Sequence, residues 1–347
     1  MDSIPDELSQ LPDGGCFLQL QTPEMHIYYS EEVVTMARDT GMTALIGDGV
    51  HKLNPKTPNR MDKGQLYTIH AVVRGGVEVP ILYAITRRKE IATYRTIFGQ
   101  LKEVIGEHRL KIVLDFEKAA IRAAREAFPD AVVQGCAFHL AQAWNRMAKE
   151  LGLRQFIRGK KRVRVVARWW ENLKGMIFLP NDLIDRLPAL RNPPVNSDHV
   201  AFEPCNKFLD YLGSTWFNGP FKDMWCKWNV EEIRTTNAAE AYHKKLRGML
   251  SRRTNPPFDE LLECLHALNT EALGKLLFLQ ENVNFSKPLR RRDRIRRQKI
   301  IEEMANFRAE YERSTQISTE TINEYCRTNH VTLCHRKDRL GTQCRYY

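Results

Sequence analysis

The sequence predicts an α/β fold, a mixed sheet with helices on its faces, interrupted by an α-helical insertion. Three observations lead there. Two strand-like runs, QLYTIHAVV (65–73) and VEVPILYAI (77–85), flank a Gly-Gly step and read as a hairpin. From 90 to 151 helical apolar spacing alternates with short apolar runs, the pattern of crossover units. From 153 the chain turns basic and aromatic, and helical periodicity of the earlier kind returns only at 234.

The elements follow in order. Residues 1–30 read as an irregular arm with a short strand at CFLQLQ, and EEVVTMARD (31–39) reads as a helix. TALIGD is a short apolar run ending in Asp48, followed by a loop (49–63) rich in Pro, Asn and Lys. After the hairpin, Ile91, Tyr94, Ile97, Phe98, Leu101, Val104 and Ile105 mark one face of a helix over 90–106. KIVLD (111–115) is a strand ending in Asp115; a helix over 116–128 is stopped by Pro129. AVVQG (131–135) is a strand, and 137–151 is a helix closed by Gly152. The coarse order is three strands, then α, β, α, β, α. The stretch from Arg154 through Pro180 reads as basic, aromatic helix, and 153–229 holds five of the six Trp. Thr236 or Asn237 caps the next helix, 258–281 forms another, and 282–347 is a basic helical or disordered tail.

The 347 residues amount to two domains' worth of chain at about 150 each, or one domain with a large insertion. With 43% hydrophobic and 27% charged residues the chain builds a packed core, which excludes global disorder. Lys and Arg outnumber Asp and Glu by 53 to 42, and the resulting +11 favours a polyanionic partner, most simply nucleic acid. No apolar run is long enough to span a membrane, and the acidic, polar start is not a signal peptide. Eight scattered cysteines without any CxxC pair argue against a disulfide framework and against a zinc finger, and fit reduced thiols inside a cell.

Asp48 and Asp115 both close strands, where loops converge on ligands in α/β sheets. Glu240 lies on a helix in the context Thr-Thr-Asn-x-x-Glu-x-x-His and shares a face with His243. Each residue alone has a plainer reading: an aspartate that caps a helix, a glutamate that faces water. Two Asp and one Glu in this order, with an insertion between the second and third, are more specific.

The local words resemble the transposase of Mutator-like elements, within the RNase H-like DDE superfamily. GDGVHKLNP around Asp48 is similar to its first-Asp motif, with Val50 where Thr is usual. QLYTIHAVV and VPILYAI resemble its hairpin. VLDFEKAAIRAAREAFPDAVVQGCAFHLAQA resembles the block with its second Asp and a Cys-x-x-His pair, Cys136 and His139. RTTNAAEAYHKKL resembles the block with the final Glu and a following His. The likeness covers roughly residues 30–275.

The resemblance implies an RNase H-like sheet split into 31–152 and 230–281 around the insertion. It implies DNA cleavage and strand transfer by Asp48, Asp115 and Glu240, holding two Mg²⁺ (or Mn²⁺) ions. Hard cations of this kind take carboxylate and water oxygens. Two of them about 3.5–4 Å apart activate the attacking oxygen and stabilise the leaving one, so no protein nucleophile is needed. The partners implied are double-stranded DNA, with terminal inverted repeats as candidate sites, and further copies of the chain. Family members usually carry an N-terminal zinc-binding DNA-recognition module, whereas about 30 residues precede the fold here. The alternative is therefore a domesticated, catalytically silent DNA-binding derivative or a truncated remnant.

Cys136 and His139 supply two zinc ligands or position the strand-helix junction, and positioning is favoured. His243 tunes Glu240, touches phosphate or lies on a helix surface. Arg158, Lys160, Lys161 and Arg164 lie in a basic stretch that reads as a DNA-backbone surface or a solvated helix face. Arg290, Arg291, Arg292, Arg294, Arg296 and Arg297 form a denser block, read as DNA contact or nuclear localisation. Cys326, His330, Cys334, His335 and Cys344 match no tight zinc spacing.

Overall fold

The structure is a computed structural model, and it describes residues 4, 6–55, 64–230, 236–313 and 317–330. In chain order the strands are β1 (Leu18–Gln21), β2 (Met25–Tyr28), β3 (Ala44–Val50), β4 (Gln65–Val73), β5 (Val77–Thr86), β6 (Lys111–Leu114) and β7 (Val132–Gly135). They form one seven-stranded sheet in the order β1-β2-β5-β4-β3-β6-β7. The pairs from β1 through β3 are antiparallel, and β6 joins β3 in parallel.

The helices are α1 (Asp6–Ser9), α2 (Glu31–Asp39), α3 (Ile91–Ile105), α4 (Lys118–Ala127), α5 (Ala137–Glu150), α6 (Arg154–Ile157), α7 (Arg164–Gly175), α8 (Asn181–Ile184), α9 (Phe202–Tyr211), α10 (Asn237–Met249), α11 (Phe258–Glu281), α12 (Arg291–Arg313) and α13 (Thr319–Asn329). The chain divides into two compact units, Met1–Gln134 with Thr235–Pro288, and Gly135–Arg234 with Leu289–Tyr347.

The first unit is built on the hairpin. Gly75 and Gly76 both sit at φ +71°, the left-handed conformation that a tight turn between β4 and β5 requires. All nine residues of β4 are buried, including the polar Gln65, Thr68 and His70, which explains why its sequence shows no polar-apolar alternation. Asp48 pairs with Thr68, and Thr68 with Tyr83, so these three share one face of the sheet. That face carries α10 and α11. Tyr242, Leu246 and Leu250 of α10 and Leu261, Leu262, Leu265 and Leu268 of α11 pack there with Tyr28, Leu66, Tyr83 and Ile85. Each such leucine stabilises the fold by about 1.5–3 kcal/mol. The opposite face carries α3, whose Tyr94 and Phe98 rings meet Tyr67 edge-on. On α2, Ser30 caps the helix by accepting the Val33 N–H, behind Glu31 and Glu32 in the first turn.

The N-terminal arm differs from the sequence reading, because Met25–Tyr28 forms a strand paired with β5. Its four residues are all buried, so no polar-apolar alternation marks it.

The second unit is helical and has its own aromatic core. Trp144 meets Phe208 and Trp216, and Trp169 and Trp170 both pack on Phe208. The basic stretch is not one continuous helix. Arg158 is extended and Gly159 takes φ +101°, which ends α6 before α7 begins at Arg164. On α7, Gly175 meets α13 so closely that a Cβ would lie 1.9 Å from the Cys326 carbonyl oxygen. The Tyr325 hydroxyl donates to Phe178 O at 3.0 Å, and Asn172 donates to Asn323 at 3.0 Å. Much of the segment read as a tail is therefore packed structure. Among the described residues no helix is long and apolar enough to cross a membrane.

Candidate active site

The register of β3 and β6 sets Ala44 beside Lys111 and Ile46 beside Val113. Continued two residues, the same register sets Asp48 beside Asp115, and neighbouring strands lie only about 4.8 Å apart. Burial, then the charges of Asp115, Glu117 and Asp48, push the Tyr67 hydroxyl well above its ordinary pKa. That phenol lies under Gly47, where a Cβ would be 2.4 Å from Tyr67 Oη and 2.8 Å from Leu114 Cδ2. Glycine at this position allows the close packing beneath the strand end that carries Asp48.

One carboxylate oxygen of Asp48 accepts the Gly49 N–H at 3.0 Å, and Oδ2 faces His243 Nδ1 at 3.4 Å. The other nitrogen of that ring, Nε2, is 2.9 Å from Thr68 Oγ1, which is in turn 3.2 Å from His70 Nε2. The result is a buried polar row, Asp48–His243–Thr68–His70, that ties α10 to β3 and β4. One set of proton positions satisfies every member: His70 Nε2–H donates to Thr68, Thr68 O–H donates to His243 Nε2, and His243 Nδ1–H donates toward Asp48. Burial, then the charges of His243 and Lys275, lower His70 to about 3, so His70 is neutral as this row requires.

Glu240 sits in the first turn of α10, whose N-cap Thr236 accepts the Glu240 N–H at 3.1 Å. It lies one helical turn before His243 and on the same face. The structure thus joins Asp48 to His243 and sets Glu240 a turn along from that contact, and the β3–β6 register extended by two residues would set Asp115 beside Asp48. Among the described residues no three His, Cys, Asp or Glu side chains are gathered closely enough to hold a metal ion. The paired aspartates are the oxygen-only donors that suit a hard divalent cation.

The other predicted residues fall in the second unit. Cys136 is fully buried at the N-cap of α5, and His139 is half-buried with its ring against Phe138. Lys160, Lys161 and Arg164 are exposed and Arg158 is half-buried. Arg290, Arg291, Arg294 and Arg296 are exposed, Arg297 is half-buried, and the Arg292 side chain lies outside the described residues. Cys326 is fully buried and burial raises its thiol, which suits packing; Cys334, His335 and Cys344 lie outside the described residues. Sequence reasoning missed Thr68, His70, Tyr67 and Glu117. The first two alternate on β4 opposite Asp48, a signal that needs the strand register to be seen.

The antiparallel hairpin strands on one side of β3, the parallel strand on the other, and the helices on both faces agree with the mixed α/β sheet expected from the sequence. Residues 56–143 match the family model of the MULE transposase domain. Among solved structures, the chain is similar to a Drosophila P element transposase strand transfer complex at 14% identity, over 88% of this chain and 81% of that one, with a TM-score of 0.26. No curated protein matches it significantly.

Two outcomes are expected from the buried row. Thr68→Val keeps the shape but strips His243 and His70 of a shared partner, which costs about 1–3 kcal/mol; a lower urea midpoint at unchanged slope reports it. The second concerns pH. The unfolded chain takes up protons as pH falls through about 6.5, whereas burial keeps folded His70 neutral down to about 3 and His26 down to about 4. Stability is therefore full above about pH 6.5 and drains as pH falls, at up to about 1.4 kcal/mol per pH unit for His70, with His26 acting in the same direction. Urea unfolding at pH 7, 6 and 5 measures the slope.

Proposed function

We propose that this protein is a DNA transposase of the Mutator-like type, in which Asp48, Asp115 and Glu240 act together on a phosphodiester. The observation that supports this reading is the parallel β3–β6 register, which continued two residues would set Asp48 beside Asp115, together with the His243 contact that ties Asp48 to the helix bearing Glu240. The family match supports it, since it contains Asp115, Cys136 and His139.

When bound, Mg²⁺ or Mn²⁺ would supply charge that lowers the pKa of the attacking hydroxyl and offsets the charge on the departing oxygen. Asp48 and Asp115 would hold such ions, and Glu240 would complete the set by turning toward them. The Gly49 N–H fixes one oxygen of Asp48, so the other keeps its aim toward α10. His243 Nδ1 meets that oxygen and holds the carboxylate in place. Water as attacking group breaks the P–O bond and nicks the strand; a DNA 3′-hydroxyl in the same role joins strands. The basic segments Arg158–Arg164 and Arg290–Arg297 are proposed contacts to DNA phosphates, and the second is a proposed nuclear address.

The test is nicking of a supercoiled plasmid that carries the genomic DNA flanking the coding sequence. Nicking with Mg²⁺ and none with a chelator supports the enzyme. Tight binding of the plasmid without nicking under both conditions contradicts it and favours the silent derivative. Neutralising Arg158, Lys160, Lys161 and Arg164 together is expected to weaken DNA binding for all sequences alike. It is also expected to flatten the dependence of log K on log salt by about 0.9 for each phosphate that the variant no longer neutralises.

A further inference from the structure

The carboxylate site carries a charge of its own that repels DNA, so a strand is held there only if unneutralised cations flank it. Most basic side chains nearby are already matched: Lys245 and Lys275 pair with Glu271, and Arg253 makes a two-pronged bond to Glu260 at 2.8 and 3.0 Å. Arg247 and Arg252 are different. Among the described residues no ion pair engages either, and Arg247 Nε is buried without a hydrogen-bond partner while the residue as a whole stays partly exposed.

Their placement is specific. Arg247 lies seven residues after Glu240 and four after His243, on the same face of α10. At 1.5 Å per residue it stands about 10 Å along the helix from Glu240. Arg252 belongs to the loop that follows, in which Ser251, Arg252 and Asn255 all take left-handed φ values of 50°, 60° and 50°. Such backbone costs a non-glycine residue about 1 kcal/mol or more and persists only where contacts enforce it. Here Arg252 N–H donates to Arg247 O at 2.7 Å, Asn255 N–H to Lys52 O at 2.8 Å, and Asn255 Nδ2 to Asn54 O at 2.9 Å. The loop is thereby fixed to the short helical turn His51–Leu53 that begins just after β3, the strand carrying Asp48. Arg252, Arg253, Thr254, Asn255 and Pro257 line a hollow of about 600 Å³.

We propose that Arg247 and Arg252 grip the phosphodiester backbone of the DNA strand next to the phosphate being cut, one to two nucleotides from it. This inference rests on the transposase reading and adds the track by which the strand reaches the carboxylates. An arginine that only complements the negative C-terminal end of α10 is the structural rival for Arg247; it does not account for Arg252, which lies in the loop.

The experiment is fluorescence anisotropy of a labelled duplex from the flanking DNA, titrated with the full chain across a salt series. Arg247→Gln and Arg252→Gln are each expected to lower the log–log salt slope by about 0.9, equivalent to about 8-fold in affinity at 0.1 M relative to 1 M salt. Arg247→Lys is expected to restore the slope by keeping the charge. Should Arg247→Gln fail to fold, Arg252→Gln, at an exposed position, decides alone. Wild-type slopes in every folded variant, with tight binding by the wild type, would overturn the grip and leave the transposase reading intact. A wild-type chain that binds no duplex would overturn both.

Discussion

Asp115→Asn is expected to reduce Mg²⁺-dependent cleavage by about three orders of magnitude or more while DNA binding stays within about twofold. The amide keeps the size of the carboxyl group and removes the charge proposed to hold a cation beside Asp48. A metal supplies several kcal/mol of transition-state stabilisation, and each 1.4 kcal/mol is tenfold in rate. DNA affinity rests on Lys and Arg contacts to phosphate and is largely spared. Single-turnover cleavage with a parallel binding titration measures both. Cleavage by the variant at the wild-type rate would remove Asp115 from the site.

Gly175→Ala is expected to have the largest effect on stability, about 3 kcal/mol or more. The added methyl would meet the Cys326 carbonyl oxygen at 1.9 Å and its carbon at 2.4 Å. Both partners are main chain of packed helices, so no side chain can swing aside, and α7 and α13 must part. The parting loosens the buried Ile322, Tyr325 and Cys326 of α13 from their packing. Thermal unfolding is expected to show earlier loss of the second unit, with Asp115-dependent cleavage chemistry retained at low temperature. Gly213→Ala, where an added Cβ meets nothing within 4 Å, is the matched control.

Much of the fold was legible because its elements are punctuated. The Gly75-Gly76 turn, Pro129 after α4, and the leucine spacing of α11 each mark a boundary or a face that the structure reproduces. β2 was not legible, since four residues buried on both faces carry no periodicity. The break at Gly159 was hidden inside a run of basic residues that favours helix on either side. The candidate site was legible as residue types in order, Asp48, Asp115 and Glu240, but not as a geometry. Thr68 and His70 join it only through the pairing of β3 with β4, and Arg247 and Arg252 only through the loop that docks Asn255 on Lys52 and Asn54. Such contacts are set by long-range register and backbone hydrogen bonds, for which a single sequence offers no local pattern.

The central claim is that residues far apart in the chain share one metal-binding centre. Replacing Mg²⁺ with Fe²⁺ and adding ascorbate and peroxide generates hydroxyl radicals at the bound ion, which cut the polypeptide nearby. The expected result is three cuts in the same molecules, around Asp48, around Asp115 and around Glu240, all suppressed by excess Mg²⁺ and lost together in Asp115→Asn. Cuts confined to one of these segments, or clustered in the second unit and indifferent to Asp115→Asn, would contradict it.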